Sequence, residues 1–125
     1  MKVIIAGSRT ITDPLELEKA IKLSGFSPID EIVCGGAIGA DELGRLWAIK
    51  NNILLKFFFP DWDQYGKSAG PLRNTQMATY VGPEGGLIAL HDGISKGTAD
   101  MIRKAERFNL KVYVHLVKKE EKVDE

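Results

Sequence analysis

Hydrophobic residues along the chain fall into short continuous runs separated by stretches of helical period. Val3 to Ala6 is apolar throughout, too uniform for a half-exposed strand, and predicts a first strand buried on both faces. Gly7-Ser8-Arg9-Thr10 predicts a turn. Asp13 then stands as an N-cap, with Pro14 at the first helical position and Glu16 closing a capping box. That helix runs to about Ser24 with Leu17, Ala20 and Ile21 inward, and Gly25 stops it. Glu31 to Cys34 predicts a second strand, and the helix after it carries Leu43, Leu46, Trp47 and the stem of Lys50 on its core face. Ile53 to Phe58 predicts a third strand.

Between Phe59 and Gly70 the periodicity fails. A loop of that length in a compact domain is uncommon, and two aromatics, Trp62 and Tyr65, argue against disorder. Gly70-Pro71 opens the next helix, with Arg73 and Asn74 in its first turn and Met77, Ala78 and Val81 available to the core. Pro83 to Gly86 is a turn, Leu87 to Leu90 a fourth strand, and about Thr98 to Asn109 a helix with Met101, Ile102, Ala105 and Phe108 inward. Lys111 to Val117 alternates enough for an edge strand, and residues 118–125 form a charged tail expected to fray. Strands alternating with helices predict one Rossmann-like three-layer α/β/α domain over residues 1–117, with about five mostly parallel strands.

Composition narrows the function classes. Lys and Arg balance Asp and Glu at 17 each, and without a Lys/Arg cluster nothing steers the chain to nucleic acid or anionic membrane. No segment is long enough to span a bilayer, and the apolar start ends too soon at Gly7-Ser8-Arg9 for a signal peptide. Cys34, the one cysteine, excludes an intrachain disulfide and fits a reducing cytoplasm. At the end of an apolar strand it reads as a buried, inert thiol.

The informative polar residues all follow strands. Gly7, Ser8 and Arg9 follow the first, and Gly35, Gly36, Gly39 and Asp41 the second. Asp61, Trp62, Tyr65, Lys67, Arg73 and Asn74 follow the third, and Asp92, Ser95, Gly97, Thr98 and Asp100 the fourth. In a parallel sheet these loops share the carboxyl rim, where ligands of such folds sit. Arg9, Lys67, Arg73 and Lys96 suit phosphate, and Ser95 to Thr98 place hydroxyls and N–H groups at a helix start. Asp41 would repel phosphate, and either takes a ribose hydroxyl or caps its helix. Trp62 or Tyr65 either stacks on a base or pins the loop to the core. Anionic phosphates, a diol and an aromatic base together describe a nucleotide-derived small molecule. No Ser–His–Asp or Cys–His set and no metal-ligand spacing is present, so neither metal nor cofactor is expected. Arg73 and Asp100 are the candidates should the site be catalytic.

These motifs resemble a small-protein, YspA-like branch of the SLOG superfamily, which includes the Smf/DprA DNA-processing proteins and the "lonely guy" phosphoribohydrolases. The resemblance rests on Gly7-Ser8-Arg9 with Asp13, Gly35-Gly36-Ala37-x-Gly39-Ala40-Asp41, and Asp61-Trp62 with Tyr65-Gly66-Lys67. It continues in Ala69-Gly70-Pro71-x-Arg73-Asn74-x-x-Met77 and Gly93-x-Ser95-x-Gly97-Thr98, so it spans Met1 to about Val117. It implies a Rossmann-like fold that senses or processes a nucleotide-derived ligand of the ADP-ribose or NAD-derivative class, in a protein that self-associates as a homo-oligomer. The leading expectation is a cytoplasmic sensor or sequestering protein for such a signal, a cyclic-nucleotide relative included. The alternatives it implies are a phosphoribohydrolase or N-glycosidase and, against the neutral charge balance, single-stranded DNA binding. The hydrolases carry P-G-G-x-G-T-x-x-E, but Gly97-Thr98-Ala99-Asp100-Met101 puts Met101 in place of the glutamate. Asp100, one residue early, is turned by about 100° on a helix. The remnant of the motif therefore leads to an expectation of retained ligand binding, with hydrolysis in doubt.

Overall fold

The computed structural model describes residues 1–117; the charged tail at 118–125 lies outside the described residues. Its strands are β1 (Lys2–Gly7), β2 (Glu31–Cys34), β3 (Leu54–Phe57), β4 (Gly86–His91) and β5 (Lys111–Leu116). They form one sheet in the order β3-β2-β1-β4-β5, every pair parallel, with Val3 in register with Ile32 on one side and Gly86 on the other. This is a Rossmann-like α/β fold. Connections leave β1 toward β2 on one side and return to β4 on the other, so the topological switch lies between β1 and β4.

Strand alternation divides the core. Val3, Ile5, Ile32 and Cys34 turn to one face, where α1 (Pro14–Ser24) and α2 (Ala40–Lys50) bring Leu17, Ala20, Leu43 and Ala48. Ile4, Ala6 and Val33 turn to the other, against Met77, Ala78, Met101 and Ala105. Those residues belong to α4 (Ala69–Val81) and α5 (Lys96–Arg107); a single-turn α3 (Trp62–Tyr65) precedes α4. Burial pushes the Cys34 thiol well above its usual range, as expected of a thiol used for packing. No helix among the described residues is long and apolar enough to cross a membrane.

Three local expectations change. Asp13 caps α1 by accepting from the Leu15 N–H at 3.0 Å, but Glu16 does not close a capping box. Its carboxylate instead meets His115 Nε2 of β5 at 2.7 Å, tying α1 to the sheet edge. On α2 the inward face is Ala40, Leu43, Gly44 and Ala48, because the helix lies close on the sheet at Gly44; an added Cβ there would come 2.8 Å from Ile5 Cβ. Leu46 and Lys50 are thereby left exposed, and Trp47 packs at the border of the core. The stretch after β3 is not irregular: Asp61 accepts from Gln64 N–H at 3.1 Å to cap α3, and a 3-10 turn at Gly66–Ser68 runs into α4 one residue before Gly70. One helical turn is too short to leave a readable period.

At the switch point a serine fastens the loops together. The Ser8 N–H donates to Leu90 O at 3.0 Å, and Ser8 O accepts from Ile11 and Ala40 N–H groups at 3.2 and 3.4 Å. Ser8 Oγ accepts from Asp92 N–H at 3.2 Å. Beside it Gly7 leaves no room for a side chain: a Cβ would lie 2.2 Å from Leu90 O. The rims of β1 and β4 and the start of α2 are thus held at a fixed spacing, and between them opens the cleft described next.

Candidate functional site

A cleft of about 1200 Å3 opens over the carboxyl ends of the strands, lined from all four post-strand segments. Gly7, Ser8 and Arg9 come from the segment after β1, and Gly35, Gly36 and Asp41 from that after β2. Trp62, Arg73 and Asn74 come from the segment after β3, and Ser95, Gly97, Thr98 and Asp100 from that after β4. Four of the expected residues lie outside its lining, among them Tyr65, exposed at the end of α3. Gly39 packs under the segment after β1, where a Cβ would come 2.6 Å from Arg9 Cα and Ser8 O. Asp61 is spent capping α3, and Lys67 sits on the exposed 3-10 turn.

At the floor, one carboxylate organises the glycine turn. Asp41 is buried, and its Oδ2 accepts the Ala37 N–H at 3.2 Å, with the Gly35 N–H also directed at the carboxylate. It neither caps its own helix nor stands free. Two of the donors that the glycine turn would offer a phosphate, the Gly35 and Ala37 N–H groups, are already taken by an internal anion. Burial pushes the Asp41 pKa up to about 6, and the Ala37 N–H, the Arg73 guanidinium and the Gly35 N–H pull against that rise.

Arg73 reaches this corner from the first turns of α4. Its Nη1 donates to Gly35 O at 2.7 Å and its Nε to Asn74 Oδ1 at 3.1 Å. Asn74, itself buried, donates through Nδ2 to Asp100 Oδ2 at 3.0 Å. Lys104 Nζ lies 3.2 Å from Asp100 Oδ1, and Arg103 Nη2 is at 3.5 Å. A polar chain therefore runs from the glycine turn through α4 to α5, and it leaves Asp100 a fully engaged ion-pair partner. Met101, in the position of the hydrolases' glutamate, is buried in the core and closes the cleft floor.

The loop after β4 is likewise self-satisfied. Asp92 Oδ1 accepts the Ile94 and Ser95 N–H groups at 2.9 and 2.8 Å, which together with Ser8 and His91 hold its carboxyl below the usual range. Ser95 caps α5, its Oγ accepting from Thr98 N–H at 3.3 Å and Thr98 Oγ1 at 3.0 Å. Two cleft cations stand apart from all this: among the described residues Arg9 and Lys96 pair with no carboxylate.

Apolar side chains form the rest of the wall. Trp62 is 55% exposed at the cleft, so it is not buried beneath the loop as a pin. Phe59, 67% exposed and stacked on Phe57 with ring centroids 5.4 Å apart, stands beside it, and Ile38 and Ile94 flank the opening. Phe59, Ile38 and Ile94 were not foreseen. Phe59 opens the stretch where the periodicity fails, and nothing local distinguishes an apolar cleft residue from a core one. No group of three or more metal-ligating side chains occurs among the described residues.

The family model that matches the chain describes YspA, cpYpsA-related SLOG proteins, over residues 1–65. That span covers β1 through α3, with the segment after β1 and the whole glycine turn. The Gene 61 protein of Mycobacterium phage D29 is 33% identical over 122 residues, covering 89% of this chain and 93% of the phage protein. No solved structure matches the chain.

Proposed function

The chain belongs to the YspA, cpYpsA-related SLOG family, whose membership points to a nucleotide-related role, and on that footing we propose that it binds a nucleotide-derived small molecule in the rim cleft. The ligand class is ADP-ribose, an NAD derivative or a cyclic nucleotide signal, and the protein acts as sensor or sequestering protein. The observation that carries this reading is the division of one cleft into chemically distinct parts. Arg9 and Lys96 supply uncompensated positive charge, Asp41 supplies an acceptor for hydroxyls, and Trp62 and Phe59 supply aromatic faces. A volume of about 1200 Å3 accommodates a ligand larger than a mononucleotide. One stack of roughly 1–3 kcal/mol plus a few charge-assisted bonds reaches the ~8 kcal/mol of micromolar binding.

A second reading, hydrolysis of an N-glycosidic bond, is favoured by one observation. Asp41 is a cleft carboxyl with its pKa raised to about 6, the range in which a general acid or base works. Against it, Asp100 and Asp92 are both tied into internal hydrogen bonds, so no second carboxylate is free to share the work. Incubation with ADP-ribose, NAD and AMP followed by chromatography separates the readings. Binding predicts a raised melting temperature with the nucleotide recovered intact. Release of free base or ribose phosphate, lost on Arg73→Ala, assigns the hydrolase instead.

A further inference from the structure

Resting on the reading of the cleft as a nucleotide site, we infer that Asp41 sets its specificity: the glycine-turn end accepts a nucleoside ribose with unphosphorylated hydroxyls, and the ligand's anionic part lies toward Arg9 and Lys96. A glycine turn before a helix ordinarily presents N–H groups to a phosphate. Here the Ala37 and Gly35 N–H groups already face a carboxylate that belongs to the chain. A phosphate placed at that end would meet no unspent turn donor from these two residues and would lie beside a like charge. A sugar hydroxyl meets the opposite situation. A carboxylate has about four lone-pair positions, so Asp41 keeps acceptor capacity beyond these N–H groups, and a ribose diol supplies donors for it.

Arg73 offsets part of the Asp41 charge but offers a phosphate neither its Nε nor the Nη1 hydrogen held by Gly35 O. Arg73, the guanidinium nearest the carboxylate, is engaged with Gly35 O and Asn74 Oδ1. Lys104 and Arg103 are engaged with Asp100. Arg9 and Lys96, unpaired among the described residues, come from the segments after β1 and β4 and mark where an anion is compensated. Because Arg73 offsets the Asp41 charge, the turn end after β2 is close to neutral with an acceptor at its floor, and the uncompensated positive charge lies across the switch point.

The test is calorimetric titration at pH 7.5 with two ligand pairs, AMP against adenosine 2′,5′-bisphosphate and ADP-ribose against its 2′-phosphate. Repulsion between a phosphate and Asp41 at an effective dielectric of about 20, reduced by the Arg73 charge, together with the lost hydroxyl–carboxylate hydrogen bond, predicts that the unphosphorylated member binds at least about 30-fold tighter. Asp41→Asn keeps the shape of the side chain and removes its charge, and should narrow that preference to about threefold. Glu42→Gln makes the same charge change on the exposed neighbouring residue, whose partner is Arg45, and should leave the preference intact. The wild-type ratio stands without any variant. Equal affinity within both pairs, or a wild-type preference retained by folded Asp41→Asn, overturns the inference and leaves the cleft a nucleotide site. Failure of all four compounds to bind removes the nucleotide reading and this inference together.

Discussion

Gly35→Ala is expected to weaken nucleotide binding by at least about 100-fold, or about 2.7 kcal/mol, and to lower stability by about 1–3 kcal/mol. A Cβ at Gly35 would sit 2.0 Å from Arg73 Nη1, 2.6 Å from Arg73 Cζ and 3.0 Å from Asp41 Oδ2. The backbone there is fixed by the end of β2, so the guanidinium must move. Its departure breaks the 2.7 Å bond to Gly35 O and takes the compensating charge from a buried carboxylate. It also slackens the link through Asn74 to α5. Because the arginine is the movable partner, the fold survives with a misshapen cleft. Titration with ADP-ribose alongside a thermal melt checks both effects, and wild-type affinity in the variant would show that this corner is not part of the site.

Asp41→Asn, in contrast, should make the ligand-free protein more stable at pH 7.5. The folded-state pKa of about 6 lies above the ordinary carboxylate value of 3.8. The folded protein therefore holds this proton more tightly than the unfolded chain does. Its contribution is fully present below about pH 3.8 and is lost as pH rises through about 6, the reverse of a salt-bridged aspartate. Two pKa units correspond to about 3 kcal/mol, so the uncharged isostere should gain about 1–3 kcal/mol at pH 7.5, roughly 5–10 °C in melting temperature. Near pH 3 the wild-type carboxyl is neutral in both the folded and the unfolded chain, and the difference should vanish. A variant that melts lower than wild type at pH 7.5 would mean that the charged carboxylate contributes net stability through Arg73 and the turn N–H groups. A residue that costs stability while lining a cleft is the pattern expected of a site kept for function.

Much of the fold was readable because the central strands of a parallel sheet are buried on both faces. Val3 to Ala6, Ile32 to Cys34 and Leu87 to Leu90 are uninterrupted apolar runs for that reason, and the weaker alternation of Lys111 to Leu116 marks an edge. The placement of the cleft followed from topology alone, since every loop after a parallel strand emerges on one rim. What failed to show depends on partners distant in sequence. Glu16 looks like a capping-box residue until His115, 99 positions away, claims it. Arg73 looks like a free phosphate clamp until Gly35 O, 38 positions away, is seen to hold it. Asp41 reads from its motif as a helix cap or a ribose ligand; only the folded turn shows it accepting from Ala37. Gly39, Asp61 and Lys67 share loops with cleft residues but serve packing, capping and the surface.

A single nucleotide-binding cleft built from the four rim segments is what every binding expectation above depends on. Native mass spectrometry of the protein purified from cells, followed by titration with ADP-ribose, NAD and a cyclic mononucleotide, tests it most directly. At least one of these compounds should add saturably at one per cleft, and the adduct should be lost on Gly35→Ala while the variant remains folded. Wild-type protein that takes up none of them, or an adduct that Gly35→Ala retains undiminished, would contradict that expectation.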